Sequence, residues 1–160
     1  LLLSFFKKIN VDNKEIKLVI AGAGEERKKI EEFIMKNDLT DHVHLLGYVN
    51  NVHNLLYKSY LFILTSLWED PGFVIVEAAM NNSNIISSDC PSGPRELLSE
   101  GNAGLLFSSN NLQSLIESYK KFNLLNDKQL NKMKINAKRN ILKYTIFRHF
   151  KKLNGYLNVK

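Results

Sequence analysis

The sequence predicts an α/β fold, a doubly wound, Rossmann-like parallel sheet followed by carboxyl-terminal helices. Three observations support this prediction. Five short apolar runs occur along residues 1–110, none of them alternates cleanly between apolar and polar positions, and a helical pattern follows each run. Strands without alternation are buried on both faces, which is typical of a parallel sheet covered by helices. Right-handed crossovers between such strands give a doubly wound layer structure.

Five strands are predicted from the apolar runs and from the glycine or polar residues that end them. They lie at 17–21, 43–47, 60–65, 84–87 and 103–107. The first run ends in Gly22 and Gly24, and the second ends in Gly47. Glycine at these points indicates a sharp exit from the strand.

Helices are predicted where apolar residues recur at helical spacing. Between the strands they lie at 25–37, 52–59, 72–82 and 95–100. The helix at 25–37 places Ile30 and Phe33 on one face. Pro94 stands where the first turn of a helix tolerates proline. From residue 112 the chain is predicted to be helical in three segments, with breaks near Asn126 and Thr145.

Length and composition fit a single domain. The chain has 160 residues, of which 44% are hydrophobic and 24% are charged, close to the averages for globular proteins. These values exclude a disordered, collagen-like or coiled-coil chain, and no apolar run reaches the roughly 18–20 residues of a membrane span. We divide the predicted domain into an α/β core at 1–110 and a basic helical tail at 111–160.

The excess of positive charge lies in the tail. Residues 1–110 carry ten Lys and Arg against fourteen Asp and Glu, whereas residues 111–160 carry twelve against two. Such asymmetry is found at nucleic-acid and membrane contacts. Lys outnumbers Arg and no aromatic residues are interleaved with the cations, so we expect no nucleic-acid partner. Two interpretations stay open, a solvated helix face or peripheral contact with an anionic membrane, and we expect apolar tail residues such as Ile146 and Phe150 to pack on the sheet.

The cysteine and histidine residues give little sign of reactive or metal chemistry. The single cysteine, Cys90, cannot form an internal disulfide, which favours a reducing compartment, and with no basic partner in the sequence its thiol is expected to be inert. The histidines have no spacing typical of a metal site. They are His42, His44, His53 and His149. We therefore expect neither a metal ion nor a cofactor.

The beginning of the sequence resembles the inside of a longer protein. The first ten residues, LLLSFFKKIN, have neither the basic region nor the small-residue cleavage site of a signal peptide. They are typical of the end of a helix that starts further upstream. We therefore expect the chain to be a piece of a longer protein.

The loop after the first strand only partly resembles a dinucleotide-binding fingerprint. Gly22 and Gly24 match its first two glycines, but Arg27 occupies the third glycine position. No acidic residue ends the next strand to bind a ribose. A tight turn between strand and helix is the simpler interpretation, and an NAD-dependent oxidoreductase or epimerase domain stays an alternative.

The loop after the third strand carries the strongest signal. Glu69 lies in this loop and Glu77 lies eight residues later, inside the helix that starts near Gly72. The first turn of a helix has unpaired N–H groups and a partial positive charge, so it is suited to bind a phosphate. Glu77 interrupts an apolar stretch, and a carboxylate there needs a hydrogen-bonding partner. A pair of ligand hydroxyls would be one such partner.

Five segments in this order resemble a known family. They are Ala21–Gly24, Leu46–Val49, Leu64–Ser66, the Glu69/Glu77 pair and Ser88–Glu96. Together they are similar to the carboxyl-terminal half of a family 4 (group 1) retaining glycosyltransferase of the GT-B fold, over about residues 5–150. The segment Ser88–Glu96 resembles that of bacterial capsule and lipopolysaccharide sugar transferases.

The resemblance implies a role for each matching residue. Glu69 would be the catalytic-site residue that hydrogen-bonds hydroxyls of the transferred sugar. Gly72, Phe73 and Val74 would offer backbone amides to the diphosphate or the sugar. Glu77 would accept hydrogen bonds from the ribose hydroxyls.

A second group of residues would complete the donor site. Tyr48 and Val49 match the stretch that lines the nucleobase pocket, although packing in the core is an equal alternative for both. Gly22 and Gly24 are counted with the donor-binding loops. The Arg and Lys that hold the diphosphate in the family have no counterpart in this sequence, and Asp70-Pro71 stands where the family often has Gly-Phe.

The function implied by the resemblance is glycosyl transfer. The chain would be the donor-binding half of a metal-independent hexosyltransferase that takes its sugar from a nucleoside diphosphate sugar, with UDP-sugars favoured. The acceptor, a glycan or a lipid-linked glycan of surface polysaccharide synthesis, would bind through the absent amino-terminal domain. We expect a cytoplasmic protein, with peripheral contact at the inner membrane face as a further option. A nucleotide-binding module without catalysis is the other alternative.

Overall fold

The protein, described here by a computed structural model of residues 1–157, alternates strands and helices in the predicted order. Its strands are β1 (Leu18–Ala21), β2 (Val43–Gly47), β3 (Phe62–Leu64), β4 (Ile85–Ser88) and β5 (Leu105–Phe107). Its helices are α1 (Leu2–Asp12), α2 (Arg27–Lys36), α3 (Val52–Lys58), α4 (Phe73–Met80), α5 (Pro94–Leu97), α6 (Leu112–Asn123), α7 (Asp127–Ile141) and α8 (Ile146–Leu157). Two short 3₁₀ helices lie at Ser99–Gly101 and Leu142–Tyr144. The last three residues of the predicted basic tail lie outside the described residues.

The strands form two parallel sheets. One sheet contains β1 and β2, and the other has the order β3-β4-β5. Every pairing is parallel, as predicted. The sequence pattern led us to expect one continuous sheet, but within the described residues β1 and β3 share no ladder. Apolar runs identify strands, whereas the choice of neighbouring strand depends on contacts between distant segments.

Helix α1 joins the cores of the two sheets. Phe5 packs in a cluster with Ile86 of β4 and Phe107 of β5, and Phe6 packs in another cluster with Val43 of β2. Both phenylalanines are buried. Burying a phenylalanine side chain contributes about 1.5–3 kcal/mol, so α1 stabilises the arrangement of both sheets.

The tail helices differ in how they contact the core. In α7, Ala137 and Ile141 are buried in a cluster with Ile75 of α4. The side-chain amide of Asn140 donates to the backbone carbonyls of Glu96 and Leu97, both at 2.8 Å. Helix α7 is therefore part of the domain core and holds α5 in place.

Five apolar residues of α7, α8 and the segment between them were expected to pack on the sheet: Ile135, Ile141, Leu142, Ile146 and Phe150. Of these five only Ile141 is buried, while Ile135 and Leu142 are each about half exposed. Ile146 is 77% exposed and Phe150 is 62% exposed, because α8 buries none of its residues. None of the helices in residues 1–157 has the length and apolarity to cross a bilayer.

Helix boundaries follow the local chemistry of the sequence. The break near Asn126 is an N-cap, where the Asn126 side chain accepts from the Gln129 N–H and the Gln129 side chain accepts from the Asn126 N–H. This reciprocal pair is a capping box. Thr145 has extended backbone and separates α7 from α8, as predicted. Pro94 occupies the first turn of α5.

Candidate functional site at the carboxyl ends of the strands

The predicted site residues lie in the loops that leave the carboxyl ends of β1, β2 and β3, and in the helix that follows β3. Ligands of parallel α/β sheets bind at this edge. The residues are Gly22, Gly24, Tyr48, Val49, Glu69, Gly72, Phe73, Val74 and Glu77. Helix α3, which follows the Tyr48 loop, packs on α4, and Leu56 shares a buried cluster with Ile75. This packing places the β2 loop beside the helix that carries Glu77.

Glu69 lies next to the amino-terminal end of α4. A Cβ atom added at Gly72 would lie 3.6 Å from both the Cβ and the Oε2 of Glu69. The Glu69 side chain is half-buried, and no hydrogen bond or ion pair to it is formed within residues 1–157. The partial positive charge at the end of the helix favours a carboxylate there by about 0.3–1 kcal/mol. Glu69 is therefore held beside the helix with its acceptor oxygens available to a ligand.

The first turn of α4 offers unpaired backbone amides, as predicted. Gly72 is the N-cap residue, with φ of 87°, and it has no side chain to cap the helix. The first hydrogen bond of the turn runs from the Ile75 N–H to the Gly72 carbonyl at 2.9 Å. In the described part of the chain, no acceptor is bound to the N–H groups of Gly72, Phe73 or Val74. Such a turn is suited to bind an anion.

Glu77 is half-buried on α4, with Ile75 and Ala78 fully buried beside it in the sequence. Its carboxylate has no hydrogen-bonding partner among residues 1–157, although its backbone carbonyl accepts from the Asn81 side chain at 2.8 Å. The Asn81 side chain also lies 2.9 Å from Nδ1 of His53 on α3. This bridge fixes α3 against the end of α4.

The loops after β1 and β2 are bonded to each other. The Gly22 N–H donates to the Gly47 carbonyl at 2.7 Å. Both glycines have positive φ, 134° and 68°, which favours glycine over other residues. Tyr48 is 82% exposed, so the core-packing alternative is wrong for this residue, and its ring is accessible to a ligand. Val49 is half-buried.

Two residues of this edge were not predicted as site residues. The Arg27 guanidinium lies close to Gly47, with Nη1 3.9 Å from a Cβ added there, and its Nε donates to Glu31 at 2.8 Å. In the sequence, Arg27 occupies the position of the third glycine of the dinucleotide-binding fingerprint. Its place at the start of a helix, directly after a candidate ligand-binding loop, was a signal for a cation at this edge. Trp68, which precedes Glu69, is 60% exposed. No periodicity distinguishes an exposed loop tryptophan from a buried one.

The segment Ser88–Glu96 is held by ion pairs and hydrogen bonds. Arg95 binds Asp89 through both Nε and Nη2, and it lies 3.1 Å from Glu100. The hydrogen bonds to Asp89 and Glu100 raise the pKa of Arg95 above its ordinary value, and Asp89 makes the larger contribution. Arg95 is therefore an ion-pairing residue.

Glu96 accepts a hydrogen bond from the hydroxyl of Tyr144. Burial, followed by this hydrogen bond, raises the pKa of Tyr144 to about 12. The pair joins α5 to the 3₁₀ helix at Leu142–Tyr144. Glu96 therefore has a structural partner and is not directed to a ligand.

Cys90 is a free, buried thiol. Residues 1–157 contain no group of three or more histidine, cysteine or acidic side chains arranged to hold a metal ion. The chemistry available at the edge described above is therefore that of carboxylates, backbone amides, an arginine and exposed aromatic rings.

The sequence matches the model of one protein family. The family is described as glycosyl transferases group 1, and the match covers residues 1–140. Related proteins include an uncharacterized glycosyltransferase of Methanocaldococcus jannaschii, 39% identical over 97 residues, covering 61% of this chain and 24% of that protein. A Campylobacter jejuni N-acetylgalactosaminyltransferase that acts on a diphospho-undecaprenol-linked sugar is 30% identical over 132 residues, covering 82% of this chain and 35% of that protein. The chain thus spans about a quarter to a third of the length of these relatives.

Solved structures resemble the fold across nearly the whole chain. Staphylococcus aureus TarM, in a complex that contains UDP, superimposes with a TM-score of 0.86 at 23% identity, covering 99% of this chain and 32% of TarM. Anabaena HepE in complex with UDP superimposes with a TM-score of 0.83 at 18% identity, covering 98% of this chain and 43% of HepE. At these identities the likeness establishes the fold, which is that of GT-B glycosyltransferases.

Proposed function

Because the chain belongs to the group 1 glycosyl transferase family, we propose that it forms the donor-binding part of a retaining glycosyltransferase that uses a nucleoside diphosphate sugar, with UDP-sugars favoured. One observation carries the proposal. Within residues 1–157 the carboxylates of Glu69 and Glu77 have no partner, and the unpaired amides of the first turn of α4 lie between them in the sequence. A nucleoside diphosphate sugar has hydroxyl groups at both ends and an anion in the middle, and this order of acceptors and donors complements it.

Each part of the site has a separate role in this proposal. Glu77 accepts hydrogen bonds from the ribose hydroxyls, a charge-assisted contact of about 1.5–3 kcal/mol. The amides of Gly72, Phe73 and Val74 bind the diphosphate. The Glu69 carboxylate, 3.6 Å from the Gly72 Cβ position, accepts hydrogen bonds from the hydroxyls of the transferred sugar.

In this proposal the nucleobase binds at the β2 loop. The exposed ring of Tyr48 offers a face on which a base can stack, and Val49 provides an apolar wall. Gly22 and Gly24 leave open space at the neighbouring loop, since neither has a side chain and a Cβ added at either would meet no atom within 4 Å. Arg27 adds a positive charge to the same edge.

The chemistry needs stabilisation of the leaving group. When the bond between the anomeric carbon and the phosphate oxygen breaks, negative charge develops on the diphosphate, and helix-end amides oriented toward it lower the barrier. The acceptor hydroxyl oxygen takes the place of the phosphate oxygen on the same face of the sugar, and its proton passes to the leaving diphosphate oxygen. We propose that this proceeds without a metal ion or another cofactor.

The names of related proteins support the choice of substrates. The relatives include a Bacillus subtilis poly(glycerol-phosphate) alpha-glucosyltransferase and an Erwinia amylovora amylovoran biosynthesis glycosyltransferase. These names favour an acceptor in surface polysaccharide synthesis, either a glycan or a lipid-linked glycan. The chain spans only part of each relative, so we propose that the acceptor binds through a further domain. A cytoplasmic location follows from the use of a nucleotide sugar.

A peripheral contact with an anionic membrane is supported by α8. Ile146, Phe150 and Leu153 lie on one face of this helix and are exposed. Arg148 and Lys152 lie on the opposite face. An apolar stripe opposite a cationic face is typical of helices that lie at a membrane interface.

Calorimetric titration tests the proposed function. Titrating the chain with UDP-glucose, UDP-N-acetylglucosamine and NAD should give binding heat with a UDP-sugar and none with NAD. Binding of NAD alone would support the oxidoreductase or epimerase alternative and would contradict the proposal. Binding of a UDP-sugar with no transfer by the full-length protein would instead support the non-catalytic binding module.

A further inference from the structure

The loop that carries Glu69 rests on the loop that follows β4. The Ser88 hydroxyl, which is fully buried, donates to the Ser66 carbonyl at 2.6 Å. The Glu69 N–H points to the Pro91 carbonyl at 3.4 Å. These contacts join the carboxyl ends of β3 and β4 and support the Glu69 loop from one side.

The closest contact between the two loops is at Gly93. A Cβ atom added at Gly93 would overlap the Pro71 carbonyl oxygen and would lie 2.8 Å from the Pro71 carbonyl carbon. These neighbours are backbone atoms, so no side-chain rotation could relieve the overlap. Gly93 also has φ of 128°, a conformation that other residues rarely adopt. Because Gly93 has no side chain, its backbone can lie directly against the backbone of Pro71.

Movement of Pro71 would move two parts of the site at once. Pro71 follows Glu69 by two residues and directly precedes Gly72, the N-cap of α4. Gly72 is in turn packed against the Glu69 side chain. The backbone contact at Gly93 therefore sets the position of the Glu69 carboxylate relative to the first-turn amides.

We propose that Gly93 is a positioning residue that holds Glu69 at the distance from the α4 amides that a sugar-bearing donor requires. The assignment rests on the proposed function. It predicts that Gly93 affects recognition of the sugar more than recognition of UDP. The sugar is bound through Glu69 in the displaced loop, whereas UDP is also bound through Glu77 and Tyr48, which lie outside it. If Gly93 were only structural, its replacement would lower the affinities for UDP and for the UDP-sugar equally, by lowering the folded fraction.

The test compares Gly93→Ala with the matched control Gly101→Ala. Gly101 also has positive φ, 92°, but a Cβ added there would meet no atom within 4 Å. The UDP-sugar used is UDP-glucose or UDP-N-acetylglucosamine, whichever the unaltered chain binds more tightly. Calorimetry then measures the ratio of the affinity for this UDP-sugar to the affinity for UDP. Gly93→Ala should reduce the preference for the sugar-bearing ligand by about tenfold, which corresponds to the loss of about one hydrogen bond to the sugar. Gly101→Ala should leave the ratio unchanged.

The fluorescence of Trp68 gives a second readout that needs no ligand. Trp68 is the only tryptophan in the chain and directly precedes Glu69. Gly93→Ala should change the acrylamide quenching of Trp68 while the far-ultraviolet circular dichroism stays the same, and Gly101→Ala should change neither. If the unaltered chain binds no UDP-sugar, the proposed function fails, and the quenching comparison still decides whether Gly93 positions the loop.

Three results would overturn the positioning role. They are a Gly93→Ala chain with unaltered Trp68 quenching, an affinity ratio equal to that of the unaltered chain, or the same changes in Gly101→Ala. If Gly93→Ala does not fold, Ser88→Ala removes the buried hydrogen bond to Ser66 without adding volume. It should alter Trp68 quenching and the affinity ratio in the same direction and by less, and unchanged values in a folded Ser88→Ala chain would count against the proposal.

Discussion

At the scale of single residues, the carboxylates were the most predictable part of the site. Glu77 stands out in the sequence because it interrupts an apolar helix, and Glu69 because it precedes a glycine at the start of that helix. Both lie at the edge formed by the carboxyl ends of the strands and the start of α4, without partners in the described chain. The contact between Gly93 and Pro71 was not predictable, because it joins residues of different loops and depends on backbone positions that no local pattern encodes.

Replacing Glu69 by glutamine should separate binding from catalysis. In the proposed site Glu69 contacts only the transferred sugar, so Glu69→Gln should leave the affinity for UDP nearly unchanged. In the full-length protein it should lower the rate of sugar transfer by about ten- to a hundredfold, the equivalent of one charge-assisted hydrogen bond. Parallel calorimetry and transfer assays measure the two effects. Unaltered transfer by Glu69→Gln would exclude the assigned role.

Tyr144 should titrate at unusually high pH. Burial and the hydrogen bond to Glu96 raise its pKa to about 12, above the ordinary value of about 10. A raised pKa in the folded state favours folding at pH values below the ordinary pKa, and this contribution is lost as the pH rises from about 10 to about 12.

Spectrophotometric titration of the unaltered chain and of Tyr144→Phe gives the measurement. The difference between the two curves should have its midpoint near pH 12. A midpoint near 10 would show that the Tyr144 hydroxyl is not bonded to Glu96 in solution.

At the scale of elements, the helices and strands followed from apolar spacing and from residues that end or cap them. Asn126 and Pro94 mark helix starts by chemistry that acts within one turn, so the sequence was sufficient. The division into two sheets was not predictable, because pairing between β1 and β3 would involve segments about forty residues apart. The exposure of α8 was also missed, since an apolar stripe is the same in sequence whether or not a partner covers it.

Helix α8 should make binding to anionic vesicles dependent on salt. Each cation near an anionic surface contributes at most about 1 kcal/mol, and salt screens this attraction. The chain should therefore sediment with phosphatidylglycerol vesicles at low salt and be released at high salt, and it should not sediment with phosphatidylcholine vesicles. Phe150→Ser, which alters an exposed residue of the apolar face of α8, should reduce sedimentation. Absence of sedimentation at low salt would leave the tail as a solvated surface.

At the scale of the whole molecule, the chain contains the core that a domain needs. Three buried clusters connect both sheets with α1, α4, α6 and α7. The parts proposed for donor binding all lie at one edge of this framework. A group 1 glycosyl transferase needs an acceptor site as well, and the relatives are several times longer than this chain.

The isolated chain should fold without transferring sugar. The resemblance implies that the Arg and Lys that hold the diphosphate in the family are not among the residues of this chain, so we expect its affinity for UDP to be weak. Two such contacts at roughly 1.5–3 kcal/mol each correspond to about two to four decades of affinity. A cooperative thermal transition together with an assay for released UDP checks both statements. Sugar transfer by the purified chain would contradict the need for a further domain.

The most direct test of the donor site is the affinity of the Glu77→Gln chain for UDP, measured by calorimetry beside the unaltered chain. Glu117→Gln on α6 is the matched control, because it makes the same change in charge away from the site. The proposed contact with the ribose hydroxyls predicts that Glu77→Gln weakens UDP binding by about ten- to a hundredfold, while Glu117→Gln binds as the unaltered chain does. Equal binding of UDP by all three chains would show that Glu77 does not bind the donor.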